Sequence, residues 1–335
     1  MSGPPPAAES AYLAALEVHW HAVLRSQDVG DEPRAVTLLG RPLVVARING
    51  LLACLDDTCR HLGAALALGE VVEGGLRCRY HGWTYDESGR CVDIPARRGA
   101  AIPREARVAS HPVHDRQGLI WVRLSAGPAP PPPSYPEWGA AGFRATPPRA
   151  YAPWAASAPR IVMAGLDDTH FAWVHPGLLG DPGHPEPPDH QVRREGGQLV
   201  STYVHAQPAN QSIGGAAGEM EEVTYTNRCT PTTIHLLKRG PAGSYAIFMA
   251  MCPHSATSTS VFLSTARDFD LDPSRDGHYL EFEDRIQAQD RAVVESQRPW
   301  LLPPLSSRLM LYVRPADLPL IAFQRWMEEL GVPQV

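Results

Sequence analysis

Two short runs constrain this chain more than anything else in it. They are Cys59-Arg60-His61 and Cys78-Arg79-Tyr80-His81, with sixteen residues between His61 and Cys78. Each run pairs a thiolate with an imidazole. Four such ligands could hold one zinc, but structural zinc sites more often draw two cysteines from a single C-x₂₋₄-C knuckle. A C-x-H run with a C-x₂-H run suits a [2Fe–2S] cluster whose two cysteines hold one iron and whose two histidines hold the other. Neutral imidazole in place of thiolate lowers the negative charge and raises the potential to roughly −150 to +300 mV. Such a centre takes up an electron easily and passes it on, so the pattern makes this a redox chain.

The stretch CRHLGAALALGEVVEGGLRCRYHGWTYDESGRCVDIPA carries both ligand runs, a YHGW after the second and a trailing glycine-cysteine turn. Together they resemble the N-terminal domain of the Rieske non-heme iron oxygenases. The resemblance implies that Cys59, His61, Cys78 and His81 bind the cluster, and that Trp83 packs over it. Arg60 and Arg79 read either as a docking surface or as solvated loop charges.

At 335 residues the chain has room for two cores. A net charge of −6 without a basic run argues against nucleic acid. No apolar stretch reaches the ~20 residues of a membrane span. MSGPPPAAES lacks the basic start of a secretory signal, and the expectation is a cytoplasmic protein. Six cysteines in this length do not make a disulfide framework; Cys54, Cys91, Cys229 and Cys252 read as small buried thiols. Lys238 is the sole lysine, which reads as a bias toward arginine rather than as mechanism.

Along the chain, residues 1–10 read as a disordered tail. Ser10 is a plausible N-cap for a helix in AYLAALEVHWHAVL. From Val36 the texture turns β-rich, and Asn49-Gly50 between two apolar runs signals a hairpin. Residues from about 30 to 125 thus read as an antiparallel β-domain with the cluster ligands on two loops at one end, within a first domain of 11–125. Residues 126–160 are proline-rich and read as a semi-rigid spacer. The remainder, 161–335, begins with a helical segment and a Pro/Gly-rich loop, Leu178 to Gln191, which is either a lid or a stiff connection. Five strand candidates follow, and then the long helix YLEFEDRIQAQDRAVVESQRP, expected to stop at Pro299. Strands flanked by helices imply an α+β domain with an antiparallel sheet. The family's equivalent is a helix-grip fold.

In this second half His170 and His175 flank FAWV, Asp167 precedes His170 by three, and Asp290 lies in the long helix. Two imidazoles and a carboxylate are the facial triad of non-heme Fe(II) oxygenases, which leaves positions open for dioxygen. On a helix Asp167 and His170 share a face. His170 and His175 fall roughly 140° apart, so an undistorted helix cannot aim both at one metal. Pro176 disfavours the α region at His175, and the helix is expected to break there. Ile286, Asp290, Val293 and Gln297 form one stripe of the long helix, which turns Asp290 inward; Asp284 and Glu295 read as solvated. Histidines 111 and 114 read as surface. His205, His235 and His254 are either cavity-lining or satisfied elsewhere.

The resemblance implies His170, His175 and Asp290 as iron ligands. It also implies that Asp167 bridges His170 to His81 of a neighbouring subunit; Asp168, the competitor, points away at i+2. Many relatives carry Asn in the turn before this Asp, where this chain has Met163-Ala164-Gly165. The expected protein is a terminal oxygenase component of the single-subunit, homotrimeric branch. It takes electrons from an NAD(P)H-dependent flavin reductase or a ferredoxin, and uses O₂ to hydroxylate or demethylate a small aromatic or alicyclic substrate. Ring cis-dihydroxylation, a Rieske electron carrier with a ligand-binding second domain, and a zinc-stabilised binding protein are the rival readings.

Overall fold

A computed structural model describes residues 3–216 and 218–332. The chain divides into two compact units, one of Glu17–Ser134 and one of Met1–Leu16 with Tyr135–Val335. All strand pairings are antiparallel.

The Glu17–Ser134 unit holds ten short strands: β1 (His21–Arg25), β2 (Arg34–Leu38), β3 (Arg41–Ile48), β4 (Leu51–Asp56), β5 (Glu70–Val72), β6 (Gly75–Arg77), β7 (Thr84–Tyr85), β8 (Cys91–Asp93), β9 (Val113–Arg116) and β10 (Leu119–Val122). They make three small sheets, β1-β10-β9, β2-β3-β4 and β5-β6-β7-β8. Asn49 and Gly50 join β3 to β4 with φ of 52° and 80°. Two left-handed residues in a two-residue loop match the strand twist, which is why Asn-Gly stands there. Alternate residues of β3 and β4 (Val44, Ala46, Ile48, Ala53, Leu55) build a core that also takes in Cys59, Cys78 and Tyr85.

The other unit contains α1 (Pro6–Leu16), β11 (Arg144–Ala145), β12 (Arg149–Trp154), α2 (Ala158–Leu166), α3 (Phe171–Val174), β13 (Gln191–Glu195), β14 (Gln198–Pro208), β15 (Met220–Thr230), β16 (Thr233–Gly240), β17 (Gly243–Ser255), β18 (Ser258–Arg267), α4 (Asp276–Val294) and α5 (Leu318–Glu329). One eight-stranded sheet runs β11-β18-β17-β16-β15-β14-β13, with β12 also on β18. Phe282 and Ile286 of α4 pack with Tyr203, Val223 and Tyr225 of the sheet and with Phe171 and Leu179. The sheet therefore grips the long helix, as the expected α+β class requires. Among the described residues no helix is long and apolar enough to cross a membrane. All six cysteines are buried and none is in a disulfide.

Several boundaries differ from the sequence expectation. The first helix is Pro6–Leu16, and His21–Arg25 is a strand. Pro6 is accepted in the first turn because its missing N–H would have no partner there. Ser10 lies inside the helix, with its Oγ bonded back to Pro6 O at 2.9 Å, rather than capping it. Residues 6–10 are therefore helical, not disordered; Met1 and Ser2 lie outside the described residues. The 126–160 segment is not a free spacer. Trp20 Nε1 donates to Pro130 O at 2.8 Å, and Arg149–Trp154 joins the large sheet. Pro153 is tolerated in β12 because the pairing shifts register between Tyr151 and Trp154. The long helix ends at Val294, ahead of Pro299. A terminal helix, Leu318–Glu329, was not anticipated.

Candidate metal centres

The first cluster of donors sits on the two loops that leave β4 and β6. Cys59 and Cys78 are buried, while His61 and His81 are exposed with ring centroids 4.5 Å apart. Sulfur thus points inward and imidazole outward. Burial pushes the Cys78 thiol up, the Cys59 sulfur beside it pushes the same way, and backbone N–H groups of Tyr80 and His81 oppose both. Tyr85 OH lies 3.2 Å from Cys59 Sγ and accepts from Arg60 N at 3.1 Å, so its own proton faces the sulfur. Trp83 stacks on His61, with centroids 4.8 Å apart and planes 6° apart. Arg60 and Arg79 are both exposed.

These four donors do not close on a single point. Among the described residues only His170, His175 and Asp290 bring three His/Cys/Asp/Glu ligand atoms within 4.8 Å of one another. A tetrahedral zinc needs such closure, whereas a diiron cluster needs a sulfur pair and a separate imidazole pair. The donor set fits the diiron group.

The second set is assembled by a broken helix. Helix α2 ends at Leu166, and Asp167 is extended (φ −80°, ψ 134°). The Asp167–His170 contact is therefore not made on a shared helix face. It is made by a turn in which Asp167 Oδ1 accepts from Thr169 N at 2.9 Å and Thr169 Oγ1 at 2.7 Å. This leaves Oδ2 3.3 Å from His170 Nδ1. Helix α3 is one turn long, and His175 leaves the helical region at φ −123°, ψ 46°, as Pro176 demands. Asp168 turns away to His190 Nε2 at 3.1 Å.

His170 Nε2 and His175 Nε2 lie 3.4 and 2.9 Å from Asp290 Oδ1. Among the described residues neither nitrogen makes an aligned hydrogen bond, although both are buried. The lone pairs converge on the space between the three side chains, which is the arrangement a cation satisfies. The outer nitrogens are spoken for: Asp167 faces His170 Nδ1, and Gln289 Oε1 accepts from His175 Nδ1 at 2.8 Å. An amide oxygen can only accept, so Gln289 fixes the proton on Nδ1 and leaves Nε2 free to ligate. Burial alone would lower His170, but Asp167 and Asp290 outweigh it and hold the ring up at about 9. The concentration of negative charge here is what a divalent ion would neutralise.

Over this triad opens a cavity of about 630 Å³, counting the part open to solvent. Trp154, Ile161, Phe171, Ile247, Phe282 and Ile286 give it apolar walls; Lys238, Glu283 and Gln287 are its polar members besides the triad. Sequence reasoning named none of these three as site residues. Gly180, at the start of the expected lid, packs so closely that an added Cβ would lie 2.4 Å from Ala172 N. The neighbouring carbonyls of Leu178 and Leu179 accept from Asn210 and His205, so this end of the loop is pinned.

The remaining histidines sort themselves. His111 is buried against Asp56 at 2.8 Å, contrary to the surface expectation, because its backbone is drawn onto β4. His114 is exposed. His205 bonds Leu179 O, His254 meets Ser260 Oγ at 2.7 Å, and His235 meets Glu137 at 3.0 Å; none of them lines the cavity. Val293 is exposed and Gln297 lies beyond the helix end, so the expected stripe holds only for Ile286 and Asp290. Asp284 is engaged by Arg149 and by Tyr151 OH at 2.7 Å, and Glu295 accepts from Ala155 N at 2.9 Å, so neither is simply solvated.

Comparison with known proteins places both halves of the chain in families. Residues 19–112 match the Rieske [2Fe-2S] domain, and residues 154–332 match the vanillate O-demethylase oxygenase C-terminal domain. The chain is 34% identical over 304 residues to the methylxanthine N1-demethylase NdmA of Pseudomonas putida, covering 89% of this chain and 82% of that one. It is 31% identical to the N3-demethylase NdmB of the same organism, over 94% and 90% of the two chains. The solved structure of Pseudomonas putida CBB5 NdmA with caffeine superposes with a TM-score of 0.82 at 29% identity, covering 96% of this chain and 92% of that one. The chain belongs to the Rieske non-heme iron oxygenases, enzymes that join a [2Fe–2S] domain to a mononuclear iron oxygenase domain.

Proposed function

We propose that this protein is the terminal oxygenase of a demethylating system, removing a methyl group from a small, largely apolar organic molecule. The observation that carries this reading is the convergence of His170 Nε2, His175 Nε2 and Asp290 Oδ1 beneath a cavity with mostly apolar walls. Its demethylating relatives over nine-tenths of the chain favour demethylation among the outcomes open to the family. In the balanced reaction an N- or O-methyl compound, O₂, two electrons and two protons give the N–H or O–H compound, formaldehyde and water.

In this reading Cys59, His61, Cys78 and His81 hold the cluster, and His170, His175 and Asp290 hold the iron. Iron and cluster, when bound, supply dioxygen activation and the electrons for it. The protein's own part is positional. Gln289 and Asp167 hold the two imidazoles in the ligating tautomer. The apolar walls exclude water and leave the methyl group facing the triad. Asp167 borders a second opening, shared with Met163, Met310 and Tyr312, from which an imidazole of a neighbouring subunit can reach it. That placement supports a bridging role and an oligomer, in line with a homotrimer. Electrons come from a separate NAD(P)H-dependent flavoprotein reductase, directly or through a ferredoxin.

Iron analysis tests the assignment. The purified holoprotein should hold more than two irons per chain, and His170→Ala should lose only the excess while keeping the cluster's colour. With a surrogate reductase, formaldehyde should appear in step with consumption of a methylated substrate. Two irons per chain in native protein, unchanged in His170→Ala, would leave an electron carrier instead.

A further inference from the structure

The sole lysine of the chain lies in the middle of β16, 3% exposed, on the cavity side with Leu236. A strand presents alternate residues to one face, so Leu236 and Lys238 turn inward together while His235 turns the other way, to Glu137. Glu283 of α4 is 2% exposed and lines the same cavity. It precedes Asp290 by seven residues, with Gln287 between, so these three share one face of the helix. At 1.5 Å per residue, Glu283 stands about 10 Å along the axis from the triad. That is close to the length of a bicyclic ring system.

Two ionisable groups taken out of water are costly unless each finds partners. Lys238 Nζ donates to Ser212 Oγ at 3.3 Å and lies 5.6 Å from the centroid of the Tyr225 ring, which among the described residues leaves donors unused. Glu283 Oε1 accepts from Tyr245 OH at 3.1 Å. Each group senses the other's charge, yet among the described residues they do not close into an ion pair. Burial lowers the lysine and raises the glutamate. Among the described residues Gln287 Oε1 is buried without a hydrogen-bond partner. A polar patch of this cost, placed two turns of α4 from the triad in an apolar cavity, has the form of a recognition element.

Resting on the oxygenase reading above, we propose that Lys238 and Glu283 form a clamp for a neutral substrate with a carbonyl and an N–H side by side, as in a lactam or cyclic imide. The clamp sets which part of the molecule faces His170, His175 and Asp290. The pair adds no net charge to the cavity, whether both members are ionised or both neutral. A carboxylate would gain from Lys238 but meet Glu283, and a cation the reverse. A carbonyl beside an N–H accepts from one and donates to the other.

Anaerobic calorimetry on the holoenzyme tests this with three bicyclic probes: 2-quinolone, N-methyl-2-quinolone and 2-naphthoate. Native enzyme should bind 2-quinolone roughly tenfold or more tighter than either of the others, since a site built for a hydrogen-bonding group rejects analogues that leave it unpaired. Lys238→Met removes the donor to the carbonyl and should weaken 2-quinolone and N-methyl-2-quinolone alike, by about tenfold. Glu283→Gln keeps the shape but removes the repelling carboxylate, and it should raise the affinity for 2-naphthoate, a gain that a damaged fold cannot produce. Equal binding of the three probes by native enzyme, tightest binding of 2-naphthoate, unchanged binding of 2-quinolone by Lys238→Met, or no gain in Glu283→Gln overturns the clamp. The visible spectrum and iron content of the same samples judge the oxygenase reading separately.

Discussion

His175 donates from Nδ1 to Oε1 of Gln289 at 2.8 Å, a contact between residues 114 apart in sequence that ties the broken helix to α4. Asp290, the next residue, meets the opposite nitrogen of the same ring at 2.9 Å. Two successive helical residues thus hold both edges of one imidazole, one as an orienting group and one across the cation space.

Gln289→Leu removes the orienting acceptor while keeping the volume. His175 Nδ1–H is then buried without a partner, and the ring is free to take the other tautomer. Groups in this position typically contribute 10–100-fold to metal affinity. The variant should therefore lose iron from the mononuclear site about tenfold or more readily on dialysis against a chelator, with the cluster absorbance unchanged. Retention equal to native enzyme would remove Gln289 from the site.

Asp167→Asn separates binding from turnover. The asparagine oxygen can still accept from Thr169, so the turn should persist, but an amide N–H₂ now faces His170 Nδ1 in place of a carboxylate oxygen. Both metal centres should stay loaded while coupled turnover falls by about 100-fold, the scale of lost support around a ligand. Full coupled activity in this variant would show that Asp167 neither orients His170 nor bridges to another subunit.

How much of this was readable beforehand follows from where each residue lies. The four donors proposed for the cluster sit within three- and four-residue runs, so spacing alone singles them out. His170 and His175 flank a proline-broken turn that is equally local. Asp290 was reached through an apolar stripe that in fact ends early, with Val293 exposed. Gln289, Lys238 and Glu283 were not legible as site residues. Their role depends on which parity of β16 faces the helix and how α4 is rotated against the sheet, and both are fixed only by long-range packing. The same parity turned His235 away from the cavity and gave it to Glu137. The proline-rich 126–160 segment misled because proline is allowed at a sheet's bulge as well as in a spacer.

Glu137 and His235 form a buried pair at 3.0 Å that makes acid stability testable. Burial pushes the Glu137 carboxyl up, but His235 beside it prevails and holds it below its ordinary value. A carboxyl depressed by folding stabilises the protein fully above its unfolded value, near 4.3, and loses that contribution as pH falls through the folded value. Glu137→Gln should therefore cost about 1 kcal/mol at neutral pH, a few degrees in melting temperature, and the difference from native should vanish in acid below that range. A difference that grows as pH falls below 4 would contradict the sign.

Tyr85 gives a redox prediction from a single hydroxyl. Its oxygen accepts from Arg60 N, which leaves the phenolic proton directed at Cys59 Sγ 3.2 Å away. A donor to a cluster sulfur stabilises the more negative, reduced state, so its loss should make reduction harder. Tyr85→Phe keeps the ring in the core shared with Leu76 and Ile94 and deletes only the donor. If the bond strengthens by about 1.4 kcal/mol on reduction, the potential should fall by about 60 mV, since 59 mV is a tenfold change for one electron. Anaerobic redox titration followed by the visible cluster absorbance measures the shift directly. An unchanged or raised potential with the cluster intact would mean that the hydroxyl does not donate to the sulfur.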